Sequence, residues 1–384
     1  MKLTVAALSL AIALVVAEWC VRASPAMDRL GWTRVPTVEE RLARVSTRAA
    51  DELRVLGIGD SFADFRDTDG ANFLRVLERE AVAHDRPVAL DNLGEEGAGL
   101  VRYLENLDRY AERVVPNIAI IAVYLGNDLL DYEIERRRAE RGIEGRRSGS
   151  GGGSAATSGW RHVMRRHSVL ANALFRAAKG AVPSLRTGTY RLNLQRAAAL
   201  FDLDAEDLRA AESRITADMI ERAEADAINT WDLAFGVVRP QLYTEMLNLD
   251  GGFAEAFEAF AADLVRIGNA CDRRGITPVF VSIPPSVQVA THYHDYFQRL
   301  GHTLGADLVG NVPLSGAVTA LLAEHDWPHL DLTTALASSE DHLYIPDDTD
   351  WNVHGQRVAG LALFEFLERE DWFRPSEEGT RPGT

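Results

Sequence analysis

The chain has 384 residues, of which 46% are hydrophobic and 26% are charged. These values are typical of a globular protein with a sizeable core, and the length allows one large domain with insertions or two domains. The net charge of −16 disfavours nucleic acid and anionic lipid as partners, because both attract a positive protein surface. The two cysteines, Cys20 and Cys271, form neither a disulfide framework nor a metal-ligand spacing.

The N-terminus has the pattern of an export segment. Met1 and Lys2 precede an uncharged run over residues 3–17, as in the basic and apolar regions of a signal peptide. The run is shorter than the roughly 20 residues that span a membrane. We predict that residues 1–23 are a signal peptide or a membrane anchor, which can lie in the membrane, and that the protein is exported to the periplasm or the cell exterior. A buried N-terminal helix is the alternative.

A polar segment, 24–50, is predicted to be a linker, and alternating strand and helix patterns begin after it. Strand patterns separated by helical ones predict a mostly parallel sheet with right-handed crossovers, so we expect residues 51–384 to form one α/β domain. In chain order the strand patterns are LRVLGIG (53–59), VALDNLG (88–94), IAIIAVYLG (118–126), TPVFVSIPP (277–285) and HLDLTT (329–334), and the helical patterns between the first three strands are 72–84 and 100–113.

The third and fourth strands are separated by far more residues than a crossover needs. We predict a helical insertion at about 129–250, which contains a charged stretch and a flexible glycine-serine loop at 148–159. The following helical pattern, 253–275, is predicted to be the crossover helix, ending at Gly275.

Three strand patterns end in residues suited to acyl chemistry. Ser61 follows the first strand, in Gly-Asp-Ser-Phe, and we expect it at the start of a helix, where its N–H can stabilise an oxyanion. The second strand ends in Asn-Leu-Gly-Glu-Glu-Gly, from Asn92 to Gly97. Asn127 follows the third strand, and its amide is a possible oxyanion donor. Parallel strands bring these ends to one edge of the sheet, where open α/β folds bind ligands.

These motifs resemble those of the SGNH (GDSL-like) hydrolase superfamily. The resemblance implies a three-layer α/β/α fold with a five-stranded sheet of order 2-1-3-4-5. It also implies that Ser61 is the nucleophile and that Gly97 and Asn127 are oxyanion groups. Gly97 matches the oxyanion glycine better than Gly94 does. No cofactor or metal is expected. It covers roughly residues 53–128 and 275–367 and leaves the insertion unexplained.

The last block of this family often reads Asp-x-His-Trp-Asn-x-x-Gly, in which the histidine is the general base and an aspartate orients it. PDDTDWNVHGQ (346–356) matches at Trp351, Asn352 and Gly355. Asp348 and Asp347 then fall where the orienting carboxylate belongs. The position of the catalytic histidine is occupied by Asp350.

Three interpretations of this departure stay open. His354 serves as the base, since it lies one helical turn after Asp350; Asp350 itself serves as a poor base; or the site only binds ligands. His342 is a further candidate for the base. A metal site formed by Asp347, Asp348, Asp350 and His354 is a weaker alternative.

We therefore predict an exported serine esterase or acyl-transferring enzyme, with O-acyl groups of cell-surface carbohydrate or lipid as substrates. The alternative is a catalytically impaired protein of the same fold with a binding or assembly role at the cell surface. A flavin or electron-transfer protein is disfavoured because Asp60 and the bulky residues after Ser61 make a poor phosphate loop.

Overall fold

The computed structural model of the protein describes residues 38–45, 53–64, 72–86, 88–142, 189–225 and 227–373. The predicted export segment and the glycine-serine loop lie outside the described residues. Among the helices within these ranges, none is long and apolar enough to cross a membrane.

A five-stranded parallel sheet forms the centre of the fold. Its order, β2-β1-β3-β4-β5, confirms the predicted 2-1-3-4-5 topology. The central strand β3 is buried along its whole length, as its continuous apolar sequence requires when helices cover both faces of a sheet. The strands are β1 (Leu53–Ile58), β2 (Val88–Asn92), β3 (Ile118–Tyr124), β4 (Thr277–Ile283) and β5 (His329–Asp331).

Helices follow the strands in the order expected for parallel crossovers. Those up to the fourth strand are α1 (Val38–Arg44), α2 (Phe73–Ala83), α3 (Leu100–Ala111), α4 (Asp128–Glu140), α5 (Thr189–Leu200), α6 (Ala205–Glu212), α7 (Ala217–Glu224), α8 (Thr230–Val238), α9 (Leu242–Asn248) and α10 (Gly252–Asp272). The later ones are α11 (Ser286–Val289), α12 (His294–Arg299), α13 (Pro313–Glu324), α14 (Thr333–Ala337) and α15 (Val353–Arg369).

Two apolar cores lie on opposite faces of the sheet and give the fold three layers. One core joins the sheet to α3, α4, α10 and α13. The other joins it to α2, α14 and α15. The α/β/α architecture predicted from the sequence is therefore confirmed.

The helices between α4 and α10 pack as part of the first core and not as a separate unit. Buried residues of α5, α8 and α9 belong to the same cluster as those of α10. Contacts beyond β4 also hold this region: Thr303 N–H donates to the Pro240 carbonyl at 2.7 Å, and the Thr244 hydroxyl donates to the Thr303 carbonyl at 3.0 Å. The insertion thereby lies against the segment that follows the fourth strand.

Candidate functional site

The segment carrying Ser61 is a tight turn and not the start of a helix. Ala63 N–H donates to the Asp60 carbonyl at 3.2 Å, and Asp64 N–H donates to the Ser61 carbonyl at 3.3 Å. The next helix within the described residues, α2, begins after its cap residue Asn72. The expectation that Ser61 opens a helix was wrong, so helix-dipole stabilisation cannot be attributed to its N–H.

A short hairpin brings the acidic motif to this turn. Its two arms pair through Tyr344 and Trp351, and Ile345 N–H donates to the Asp350 carbonyl at 2.9 Å. Asn352 then caps α15, accepting from the N–H groups of His354 at 2.8 Å and Gly355 at 3.0 Å. The conformation of residues 343–355, which we call the acidic hairpin, is thus fixed from both ends.

Ser61 and Asp350 are in direct contact. The Ser61 hydroxyl donates to Asp350 Oδ1 at 3.0 Å, across 289 positions of sequence. Packing supports this contact, because the ring of Trp351 lies edge-on to that of Phe62 at 4.7 Å between centroids. The carboxylate therefore occupies the place beside the serine that the sequence register assigns to the catalytic histidine.

His354 lies on the solvent side of the acidic hairpin. Its side chain is 68% exposed, and its Nδ1 is 4.0 Å from Asp341 Oδ2. The hydroxyl of Ser61 points to Asp350. A role for His354 as the base stays a prediction that none of these contacts supports. His342, the other candidate, has its ring 4.8 Å from that of His292.

Asp347 is bound in an ion-pair network. Its φ is 61°, and its carboxylate pairs with Arg222 at 2.6 Å and with Arg299 at 2.7 Å. Partial burial raises the pKa of Asp347, but the hydrogen bonds from both guanidinium groups outweigh burial and lower it below its usual value. Asp348 Oδ1 accepts from Thr349 N–H at 2.7 Å. Asp347 thereby links the acidic hairpin to α7 of the insertion.

The loop after β2 lies against the Ser61 turn through Gly94. A Cβ atom at this position would be 2.2 Å from the Ala63 carbonyl oxygen, so only glycine allows the two backbones to approach this closely. Glu95 N–H also donates to the Gly59 carbonyl at 3.0 Å. Gly97, the predicted oxyanion residue, lies exposed beyond this contact with a φ of 70°.

Asn127 stands at the end of β3, one strand away from Ser61. Its Oδ1 is buried without a hydrogen-bond partner among the described residues. The side chain of the next residue, Asp128, accepts a hydrogen bond from Tyr124 N–H at 3.0 Å at the end of β3. The assignment of the Asn127 amide as an oxyanion group stays a prediction.

Asp60 is a site residue whose raised pKa could not be predicted from the sequence. It is 1% exposed, and its Oδ1 accepts from Phe62 N–H at 3.1 Å. Burial, followed by repulsion from Asp350, raises the pKa of Asp60 to about 8. The carboxyl group that precedes Ser61 in the chain is thus mostly protonated at neutral pH.

The insertion supplies a second residue that was missed, Asp232 of α8. Burial, followed by repulsion from Asp348, raises its pKa to about 7. Its Oδ1 accepts from the Tyr243 hydroxyl at 3.4 Å, while Oδ2 is buried without a partner among the described residues. The available signal was a single acid in the otherwise apolar helix TWDLAFGVV, but nothing in the sequence placed that helix beside Asp348.

The acids do not form a metal centre. The described residues contain no group of three or more His, Cys, Asp or Glu residues that could hold a metal ion. The alternative of a metal site at Asp347, Asp348, Asp350 and His354 therefore gains no support.

The chain matches no family model, and no curated protein matches it significantly. Among solved structures, it is similar to a protein from Desulfitobacterium hafniense DCB-2 that is provisionally described as a lipolytic protein of the G-D-S-L family. The two share 11% identity, with 82% of this chain and 100% of that chain covered and a TM-score of 0.35. This similarity is too low to assign an activity.

Proposed function

We propose that the protein is a GDSL-like serine esterase or acyl-transferring enzyme in which Asp350 replaces histidine as the partner of Ser61. The observation that supports this function is the 3.0 Å hydrogen bond between the Ser61 hydroxyl and Asp350 Oδ1. It joins a nucleophile to a proton acceptor at the carboxyl edge of a parallel sheet, where this class of fold binds ligands.

The reaction follows from this pair. Ser61 Oγ forms a bond to the acyl carbon of the ester, and its proton passes to Asp350. As the intermediate collapses, the bond between the acyl carbon and the alcohol oxygen breaks, and the proton goes to the departing alcohol. Water or a second alcohol then attacks the acyl carbon and passes its proton to Asp350, the bond from the acyl carbon to Ser61 Oγ breaks, and Asp350 returns the proton to Oγ. Asn127 and Gly97 are the proposed oxyanion groups.

A carboxylate is a weak base, with an ordinary pKa of about 4, so proton transfer from serine is less favourable than to imidazole. We expect slow turnover. Asp350→His restores a base of pKa about 6.5 and is expected to raise the rate on nitrophenyl acetate about tenfold or more, since positioned general bases contribute roughly 10²–10⁴-fold. Ser61→Ala is expected to abolish it.

The control is His354→Ala, which should leave the rate within about twofold because this side chain is mostly exposed and lies beside Asp341. A folded Asp350→His protein with no gain in rate would contradict the proposed role of Asp350. A large loss in His354→Ala would return the base to His354.

The second candidate is a binding or assembly protein that retains the cleft. It is favoured by the same replacement, because a carboxylate in place of imidazole weakens the serine as a nucleophile. A serine-directed fluorophosphonate distinguishes the two functions. Labelling that Ser61→Ala abolishes supports the enzyme, whereas the absence of labelling supports binding alone.

The expected setting belongs to the same proposal. The apolar run at 3–17 supports export, and an exported acyl-acting enzyme meets acylated carbohydrate or lipid of the cell surface. Fractionation of cells expressing the full chain tests this point, and recovery of the protein only in the cytosol would contradict it.

A further inference from the structure

Near the pair formed by Ser61 and Asp350 lies a further carboxyl group, that of Asp232, which has no hydrogen bond to either residue. Asp232 comes from α8 of the insertion and faces the acidic hairpin, where Asp348 and Asp350 both act on its charge. Ser61, Asp232, Asp348 and Asp350 are all partly exposed. Asp232 is thus within electrostatic range of Asp350, the hydrogen-bond partner of Ser61, with the sheet edge supplying Ser61 and the insertion supplying Asp232.

Asp232 is incompletely hydrogen-bonded. Its Oδ1 has one long hydrogen bond from Tyr243, and its Oδ2 has none within the described part of the chain. A buried carboxyl oxygen without a hydrogen bond is costly, and native proteins seldom keep one without a functional reason. A ligand that donates a hydrogen bond at this point would remove the cost.

Two tyrosines near Asp232 also have a polar group without a hydrogen bond among the residues that the structure describes. Tyr124 is 4% exposed and Tyr296 is 8% exposed, and the hydroxyl of each is buried without a partner among the described residues. Each hydroxyl lies close enough to Asp232 for the two charges to interact. The position of the Tyr124 hydroxyl requires glycine at Gly126, because a Cβ there would be 2.4 Å from that hydroxyl.

The chemistry of these groups selects the ligand. Asp348 and Asp350 repel a carboxylate or a phosphate. An ammonium group can donate to Asp232 but cannot accept a hydrogen bond from the hydroxyls of Tyr124 and Tyr296, which have no partner among the described residues. A hydroxyl group both donates and accepts, so it suits the carboxyl group and the tyrosines together.

We infer that Asp232 forms a subsite for a free hydroxyl on the alcohol portion of the substrate, which selects esters of polyols over esters of simple alcohols. This inference rests on the proposed function. The insertion thereby supplies substrate selection, while the sheet edge supplies the nucleophile.

Selectivity is the first test. The quantity measured is the ratio of kcat/KM for an O-acetylated methyl glucoside to kcat/KM for nitrophenyl acetate, which has no free hydroxyl. Asp232→Asn preserves the shape of the side chain and is expected to lower this ratio about tenfold or more, as the loss of a hydrogen bond to a charged group does. Asp207→Asn, an exposed acid of α6 in the same insertion, is the matched control and should leave the ratio unchanged.

Direct binding is the second test and does not depend on turnover. Calorimetry measures the affinity of the Ser61→Ala protein for the same acetylated glucoside, and Asp232→Asn in that background should weaken it about tenfold. Failure to bind, equal affinity in the double variant, or competition by methylammonium but not by methyl glucoside overturns the subsite. Binding as expected, with no hydrolysis by the wild type, retains the subsite and rejects the esterase.

Discussion

At the scale of single residues, the pairing of Ser61 with Asp350 depends on neighbours that carry no reactive group. Asn352 is the clearest of these. Besides capping α15 through its side-chain oxygen, its amide nitrogen donates to the carbonyls of His342 at 2.5 Å and Tyr344 at 3.3 Å. One side chain thus joins the two arms of the acidic hairpin to the helix, and it lies two positions after the partner of Ser61.

Asn352→Ala removes the cap and both cross-arm hydrogen bonds. We expect the free energy of unfolding to fall by about 1–2 kcal/mol, measured by urea denaturation, together with weaker fluorophosphonate labelling of Ser61. Asp204→Ala, which removes the cap of α6, is the matched control and should cost similar stability with much less effect on labelling. Equal labelling in both variants would contradict a role for Asn352 in placing Asp350.

Gly94 joins the residue scale to the scale of elements, because the loop after β2 meets the turn after β1 at this point. Gly94→Ala forces a methyl group against the Ala63 carbonyl. We expect a loss of about 1–3 kcal/mol in the free energy of unfolding and loss of Ser61 labelling. Gly316→Ala in α13, where a Cβ meets nothing within 4 Å, should instead stabilise by about 1 kcal/mol. Labelling that survives in a folded Gly94→Ala protein would count against this contact.

At the scale of elements, α7 is tied to the acidic hairpin by the ion pair between Arg222 and Asp347. Both side chains are partly exposed, so Arg222→Ala should cost no more than about 1 kcal/mol of stability. The sharper effect is local: amide hydrogen exchange in 217–224 and 345–350 should accelerate. Arg209→Ala on the exposed face of α6 is the control, and equal exchange in the two variants would show that the ion pair does not hold α7.

The sequence predicted the elements better than their mutual placement. Continuous apolar runs identified the strands, and the helical patterns between them predicted parallel pairing, whereas the strand order came from the resemblance alone. The motif register also placed Asp350, and not His354, opposite the nucleophile. By contrast, the sequence did not predict that Asp232, Tyr296 and Arg222 lie near the acidic hairpin. Asp232 and Arg222 are more than a hundred positions away from it in the chain. All three are placed by the packing of helices, and the apolar face of a helix does not specify which helix it packs against.

At the scale of the whole molecule, buried acids make stability depend on pH. The folded-state pKa values of Asp60 and Asp232 are about 8 and about 7, both raised from 3.8. Between about pH 4 and pH 8 the folded protein therefore binds more protons than the unfolded chain. The contribution of these two acids to stability is greatest below about pH 4 and is lost as the pH rises towards 8.

We expect the free energy of unfolding to decline between about pH 5 and pH 8, and the decline to be reduced in Asp60→Asn, which cannot ionise. Asp347 does not act in this window, because its pKa is lowered and its contribution is lost only in stronger acid. Asp204→Asn, at an exposed cap whose pKa is also lowered, is the control and should keep the wild-type slope. Denaturant unfolding across the pH range measures all three proteins, and identical slopes would contradict the protonation of Asp60.

The long separation between Ser61 and Asp350 also orders events during synthesis. The nucleophile leaves the ribosome early, but its partner arrives only when the acidic hairpin and the start of α15 have been made. A chain that stops before the acidic hairpin carries the serine without its proton acceptor. On the proposed function, a chain that ends before Asp350 is therefore expected to have no esterase activity.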